Sequence, residues 1–223
     1  MNMKLMLGAL IKFVFGLALV AALLFLPAGS VGYFNGWLFI GLLFIPMLIL
    51  GIFLLIKSPA LLEKRISAKE KENTQRVVVA VSGVLFIAGF VVAGLDFRFG
   101  WSYVPLWVVY VSSAVLFISY ALYAEVMREN AYLSRTIEVQ ENQKVVDTGL
   151  YGIVRHPMYA VTIWLFLSIP LVLGSWWSLV CFVPYIAVIA VRIVNEEKVL
   201  EANLEGYNEY KKRVKYRILP FVW

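Results

Sequence analysis

The sequence predicts an all-α, polytopic membrane protein with about six transmembrane helices and a cytoplasmic C-terminal helical segment. Three observations predict it. Of the 223 residues, 62% are hydrophobic and only 15% are charged, against about 25% charged in soluble domains. The apolar residues are gathered into long runs, several of 19 or 20 residues, and about 20 helical residues cross the ~30 Å hydrocarbon layer. Eighteen of the twenty Lys and Arg fall in gaps that six spans would place on one side, the bias expected of cytoplasmic loops. This composition excludes a soluble globule, a disordered chain and a disulfide scaffold. The single cysteine, Cys181, allows no internal disulfide and no cysteine-rich metal site.

The spans follow in order. Leu7–Leu26 contains one charge, Lys12, and Trp37–Ile56, Val77–Leu95 and Val104–Tyr123 contain none. Lys4 before an apolar run resembles a signal peptide, but the run exceeds the usual ~7–15 residues, so it is expected to stay as the first helix. Met158–Val191 is free of charge over 34 residues, about 51 Å of helix, too long for one span. Gly174-Ser175 before Trp176-Trp177 marks an interfacial turn and divides it into Met158–Leu173 and Trp176–Val191. Six spans put both termini on the basic side. The far side keeps only Arg98 and short connections, so any chemistry lies within the membrane or on the cytoplasmic face. The loop Lys57–Arg76 mixes both signs of charge and is expected to be a solvated surface helix, with basic residues near anionic lipid heads. The net charge of +6 is accounted for by these loops. No basic stripe on a soluble surface points to nucleic acid.

Two polar segments exceed what connection needs: 124–157 and 192–223. They flank the last hairpin, which brings them together. In the first, Asp147–Gly152 reads as a turn and Pro157 suits the first position of the next helix. Arg155-His156 then stand at a helix N-terminus, a setting that suits an anion. His156 is the only histidine; it is either a capping or core residue or part of a site. In the second, Arg192 and Glu196 share a helix face while Glu197 points about 100° away. Arg192 and Glu196 form a surface ion pair, or the three residues supply two acids for a cation and an arginine for a carboxylate. A zwitterionic sulfonium cofactor carries both kinds of group. No HExxH, CxxC, GxGxxG, P-loop or GxSxG pattern occurs, so neither a metal site nor a Rossmann-type methyltransferase is expected.

Three stretches carry a family resemblance. They are Met127-Arg128-Glu129-Asn130 through Ile137-Glu138-Val139-Gln140; Gly149-Leu150-Tyr151 through Arg155-His156-Pro157-Met158-Tyr159; and Arg192…Glu196-Glu197, then Tyr207…Tyr210-Lys211-Lys212-Arg213-Val214 and Leu219-Pro220. Together, over about 125–223, they resemble the integral-membrane isoprenylcysteine carboxyl methyltransferase family, which also includes phospholipid N-methyltransferases. The sequence departs from the family pattern at Leu150, Val161 and Leu204-Glu205-Gly206-Tyr207.

The resemblance implies S-adenosyl-L-methionine as methyl donor and a lipidic acceptor drawn from the bilayer. It implies cofactor binding by Gly149, Tyr151, Arg155, His156, Pro157, Tyr159, Glu196, Glu197, Tyr207, Tyr210 and Arg213. Arg192 and Glu196 are the catalytic candidates, Arg192 to orient an anionic acceptor. Residues 1–124 then form a four-span transmembrane region, and 125–223 the cofactor-binding region with the last hairpin and a cytoplasmic helix. Carboxyl O-methylation of an isoprenylcysteine-like acceptor is the expected reaction. N-methylation of a phospholipid amine is the alternative. A further alternative is an NADPH-dependent sterol or enone reductase, in which Lys211, Lys212, Arg213 and Lys215 would meet the 2′-phosphate. A transporter would show polar groups or broken helices near the bilayer midplane, and only Pro46 and Ser112-Ser113 hint at that.

Overall fold

The computed structural model describes residues 3–67, 73–133 and 139–223. Among them the helices are α1 (Met3–Ala28), α2 (Phe34–Lys57), α3 (Pro59–Ser67), α4 (Asn73–Phe99), α5 (Leu106–Glu129), α6 (Pro157–Val172), α7 (Trp176–Phe182), α8 (Tyr185–Asn203) and α9 (Tyr207–Arg213). A single 3-10 turn covers Gly149–Gly152, and no strand occurs among the described residues. Five stretches are long and apolar enough to cross a membrane: Met3–Ala28, Phe34–Lys57, Val77–Phe99, Leu106–Glu129 and Trp176–Asn203, the last joining α7 and α8. The protein is therefore a multi-pass, all-α membrane protein. Large apolar side chains on the outer surface, such as Phe15, Leu26, Ile45 and Trp107, are the lipid-facing side of this bundle. The expected six spans are reached only by counting α6, which has 16 residues.

The helix boundaries differ from the sequence reading where the apolar run and the helix part company. Trp176–Val191 is not one helix. Pro184, which has no N–H to donate, ends α7 and stands at the N-cap of α8. α8 then continues past the apolar run to Asn203, carrying Arg192, Glu196 and Glu197 on a single rigid rod. The Gly174 turn is where it was expected, with φ +76°, the left-handed conformation that ends many helices.

The described part of the 57–76 loop is a helix, as expected, with Pro59, Ala60 and Glu63 exposed, but it is solvated on one side only. α3 buries Leu62 against Leu54 and Met127, because its apolar side faces the gap between α2 and α5. Its last carbonyls are otherwise without helical partners, and Lys12 Nζ donates to Ile66 O at 2.6 Å. The lone charge of the first span thus caps a helix end. The rest of that loop, 68–72, and Ile137-Glu138 of the first resemblance stretch lie outside the described residues.

The core cluster joins α1, α2, α4, α5, α6 and α7 through residues including Leu24, Phe39, Leu116, Ile169 and Phe182. α1 and α4 touch backbone to backbone at Gly94, where a Cβ would lie 2.5 Å from Leu24 O. Small residues at such crossings are the usual way membrane helices gain close packing.

At the end of the bundle where α4 and α6 finish, one buried carboxylate ties three elements. Asp96, 2% exposed, accepts from Ser102 N at 2.7 Å and Ser102 Oγ at 2.6 Å. It also accepts from Ser175 Oγ at 2.5 Å. Ser175 in turn caps α7 by accepting from Ser178 N at 3.0 Å. Hydrogen bonds to a charged group contribute about 1.5–3 kcal/mol each. Asp96→Ala is therefore expected to lower the melting temperature of the detergent-solubilised protein by about 5–10 °C. Asp96→Asn, which keeps two acceptor positions on one oxygen, should lose less.

Candidate active site

The opposite end of the bundle is assembled from the close of α5, the start of α6, the close of α8, and α9 with the tail. Glu129 Oε2, at the last residue of α5, accepts from Leu150 N at 3.0 Å. Asn130 Nδ2 donates to Tyr151 Oη at 3.0 Å. Gly149 has φ +52° and so little room that any Cβ would collide with the Glu129 carboxylate. These contacts fix the 3-10 turn directly beneath α5. Five residues after that turn Pro157 opens α6 with His156 as its N-cap.

The anion expected at this helix start is the protein's own. Glu197, 2% exposed, accepts from Arg155 Nε at 2.8 Å and Arg217 Nε at 2.8 Å. His156 Nε2 faces the same carboxylate at 3.2 Å. Arg155 also donates through one guanidinium nitrogen to Val214 O at 2.8 Å and Lys215 O at 2.7 Å. The backbone repeats the tie: Arg155 N donates to Tyr216 O at 2.9 Å and His156 N to Arg217 O at 2.8 Å. The tail is thus strapped across the start of α6, as the two polar segments led one to expect. Arg217 is a member of this hub that sequence reasoning missed. It lies in an irregular tail, and no periodicity singles it out.

A small cleft of about 100 Å³ opens beside the strap, with Asn130, Tyr151, His156, Tyr159, Glu196 and Tyr207 among its lining. Arg155, Arg192 and Tyr210 line it too. α9 closes one side. Gly206 precedes it with φ +80°, so the altered Leu204–Tyr207 stretch still reverses the chain. Leu204, Tyr207, Tyr210 and Val214 pack into one small core. Tyr210 Oη donates to Tyr151 O at 2.8 Å. Tyr207 is 4% exposed and its hydroxyl has no hydrogen-bond partner among the described residues. Buried polar atoms are rarely left so, and this one belongs to a side chain of the cleft wall. Burial, followed by the Glu197 charge, pushes the Tyr207 hydroxyl well above the ordinary phenol range. Burial does the same to Tyr210, so both remain protonated.

Across the cleft, Tyr159 Oη donates to Glu196 Oε2 at 2.5 Å and accepts from Arg192 Nε at 2.8 Å. Arg192 and Glu196 do share a face of α8, but the phenol stands in the link between them. On the far side of this trio lies an apolar cavity of about 770 Å³, walled by residues such as Phe39, Leu43, Phe86, Leu165 and Ile189. Three residues line both spaces: Met158, Tyr159 and Arg192. Arg192 is the one charged residue among the described lining of the apolar cavity.

Of the site residues expected from sequence, Tyr151, Arg155, His156, Tyr159, Arg192, Glu196, Tyr207 and Tyr210 meet at the cleft. Gly149, Pro157, Glu197 and Arg213 are not on its described wall. Gly149 and Pro157 shape the backbone, and Glu197 anchors the strap. Arg213 pairs with Asp147 at 2.6 Å on the surface. Asn130 and Tyr132 line the cleft without having been singled out. Asn130 lies inside the first resemblance stretch, directly after α5, which was the available signal. No group of three or more His, Cys, Asp or Glu suited to a metal occurs among the described residues.

Residues 107–205 match the sequence model of a family described as phospholipid methyltransferase. Over that stretch the chain is similar to the membrane-associated phospholipid and isoprenylcysteine methyltransferases. The matched region runs from α5 to the end of α8 and so contains the clefts' shared wall, Glu197 and the start of α6. It stops before α9 and the tail. No curated protein matches the chain. The relationship is that of a family with S-adenosylmethionine-dependent activity on membrane-associated substrates.

The lining of the polar cleft carries groups chemically suited to a zwitterionic ligand. Glu196 supplies a carboxylate, the Tyr207 hydroxyl a hydrogen-bonding group without a partner among the described residues, and Tyr132, Leu133 and Leu204 apolar and aromatic surface.

Proposed function

We propose that the protein methylates the carboxylate head of an amphiphile, with an isoprenylcysteine-like acceptor as the simplest form. S-adenosylmethionine would be held in the polar cleft, and the acceptor's tail in the apolar cavity. The observation that carries this reading is the shared wall: Arg192 lines both spaces and is the one charge described on the apolar side.

When bound, S-adenosylmethionine supplies a methyl group already activated on a sulfonium. The chain's own residues are left with alignment and exclusion of water, and alignment contributes up to about 7–11 kcal/mol of the barrier. A carboxylate is ionised at neutral pH and needs no general base. Arg192 would orient it, its planar guanidinium matching the two oxygens. Glu196, His156 and Tyr207 would hold the donor, and α9 with the tail would cover it. Arg155 and Glu197 would keep that cover in place. The one-sided distribution of Lys and Arg supports a cytoplasmic cleft and cytoplasmic termini.

The matched family description favours one second reading, methylation of a phospholipid amine. That reaction needs a base, and Glu196 or His156 would have to serve. The reductase alternative gains no support from the proposed basic set. Lys211 pairs with Glu201 and Arg213 with Asp147, which leaves the 2′-phosphate fewer free cations.

The test is transfer of a radiolabelled methyl group from S-adenosylmethionine to a panel of amphiphilic acids and amines. Acids should be labelled, at a rate nearly flat between about pH 6 and pH 8, well above the carboxyl range. Labelling confined to amines, with a rate rising with pH as ammonium groups lose protons, would overturn the carboxylate assignment.

A further inference from the structure

The wall between the two cavities is also a chain of charge. Tyr159 joins Arg192 at 2.8 Å to Glu196 at 2.5 Å. Glu196 lines only the polar cleft, whereas Arg192 and Tyr159 line both spaces. Of the two charged ends only Arg192 reaches the apolar cavity, and with neither ligand bound the two ends are linked through one phenol. A cation entering the cleft competes with Tyr159 for Glu196. An anion entering the apolar cavity competes for Arg192. Whichever arrives first breaks the link at its own end and removes the neutralising partner from the other.

We propose that this Arg192–Tyr159–Glu196 clasp couples the two cavities, so that a ligand bearing an ammonium in the cleft and an anionic amphiphile in the apolar cavity each favour the binding of the other. This rests on the reading of the two spaces given above. The closed clasp lowers the affinity of both ligands by the fraction of molecules that hold it closed, and the first ligand removes that penalty for the second. Linkage makes the effect reciprocal. Tyr159 acts here as a positioning residue, through the two charged groups it holds.

The experiment uses the full chain in discs of zwitterionic phospholipid and measures binding of S-adenosylhomocysteine, which keeps the ammonium and transfers no methyl. Titrations are run alone and with saturating dodecanoate, dodecanol or dodecylammonium. Dodecanoate is expected to tighten S-adenosylhomocysteine binding about five- to tenfold, and S-adenosylhomocysteine to tighten dodecanoate binding by the same factor. Dodecanol and dodecylammonium should leave the affinity unchanged. In Tyr159→Phe the dodecanoate effect should collapse to less than about twofold, a change that loss of packing alone does not produce in a ratio of affinities. Equal tightening by dodecanol, no tightening by dodecanoate, or full coupling in Tyr159→Phe would overturn the proposal. If Tyr159→Phe cannot be purified folded, the comparison of the three amphiphiles on the unaltered chain decides it. Binding without coupling overturns the clasp alone. No binding of S-adenosylhomocysteine overturns the cofactor reading and the clasp with it.

Discussion

Arg192→Gln is expected to lower kcat/KM for an anionic amphiphile by about two to three orders of magnitude. The loss follows from its place: it is the one described charge facing the apolar cavity, so no neighbouring cation replaces it. Binding of S-adenosylhomocysteine in the absence of acceptor should change only a few-fold, because Glu196 and Tyr207 remain. Arg192→Lys should recover part of the rate, since an ammonium restores the charge without the planar fork. The assay is initial-rate methyl transfer over a range of acceptor concentrations. A variant that loses donor binding and acceptor turnover together would assign Arg192 to holding the donor rather than the acceptor. A variant that turns over an amphiphilic amine at the normal rate would be expected only of an amine methyltransferase.

Glu197→Ala should be the most damaging substitution for stability. Its carboxylate is buried and accepts from Arg155 and Arg217 with His156 beside it. Removing one partner of such a group leaves a buried charge without compensation, at a cost of about 3–5 kcal/mol. Arg155, 6% exposed, keeps its bonds to Val214 O and Lys215 O but loses the opposite charge. The detergent-solubilised variant should melt about 10 °C lower. Limited proteolysis should cut the tail beyond residue 213 first, because the strap loses its anchor there. Pairing Glu197→Leu with Arg155→Met should regain much of the melting temperature, since a buried ion pair often exchanges for apolar groups at little net cost. If Glu197→Ala melts normally yet fails to bind S-adenosylhomocysteine, Glu197 touches the cofactor rather than the strap.

Glu197 shows where sequence reasoning stops. Its spacing from Arg192 and Glu196 told correctly that it faces away from them. What it faces depends on where the tail docks, and a seven-residue α9 followed by an irregular strap has no period to read. The same limit hid Arg217. Asp96 was hidden differently: a lone acid at a helix end looks like a solvated terminus, and its partners Ser102 and Ser175 are ordinary turn residues. The apolar runs, by contrast, were legible because crossing ~30 Å of hydrocarbon imposes a length. That signal failed where composition and helix diverge. α8 outlasts its apolar run, and Pro184 breaks a run that hydropathy shows as continuous. The meeting of His156, Tyr159, Arg192 and Glu196 was legible because a short turn at Gly174 folds two adjacent helices back on one another. The apolar cavity beside them was not, because it is lined by residues from seven helices and no local pattern marks it.

The most direct measurement is equilibrium binding of S-adenosylhomocysteine and of NADPH to the purified chain, with Glu196→Gln and Tyr207→Phe alongside. S-adenosylhomocysteine should bind and NADPH should not. Glu196→Gln should weaken the binding by about tenfold or more, the worth of a hydrogen bond to a charged group. Tyr207→Phe should weaken it by a smaller factor. Binding of NADPH in preference, or S-adenosylhomocysteine affinity that both substitutions leave untouched, would contradict the assignment of this cleft to the methyl donor.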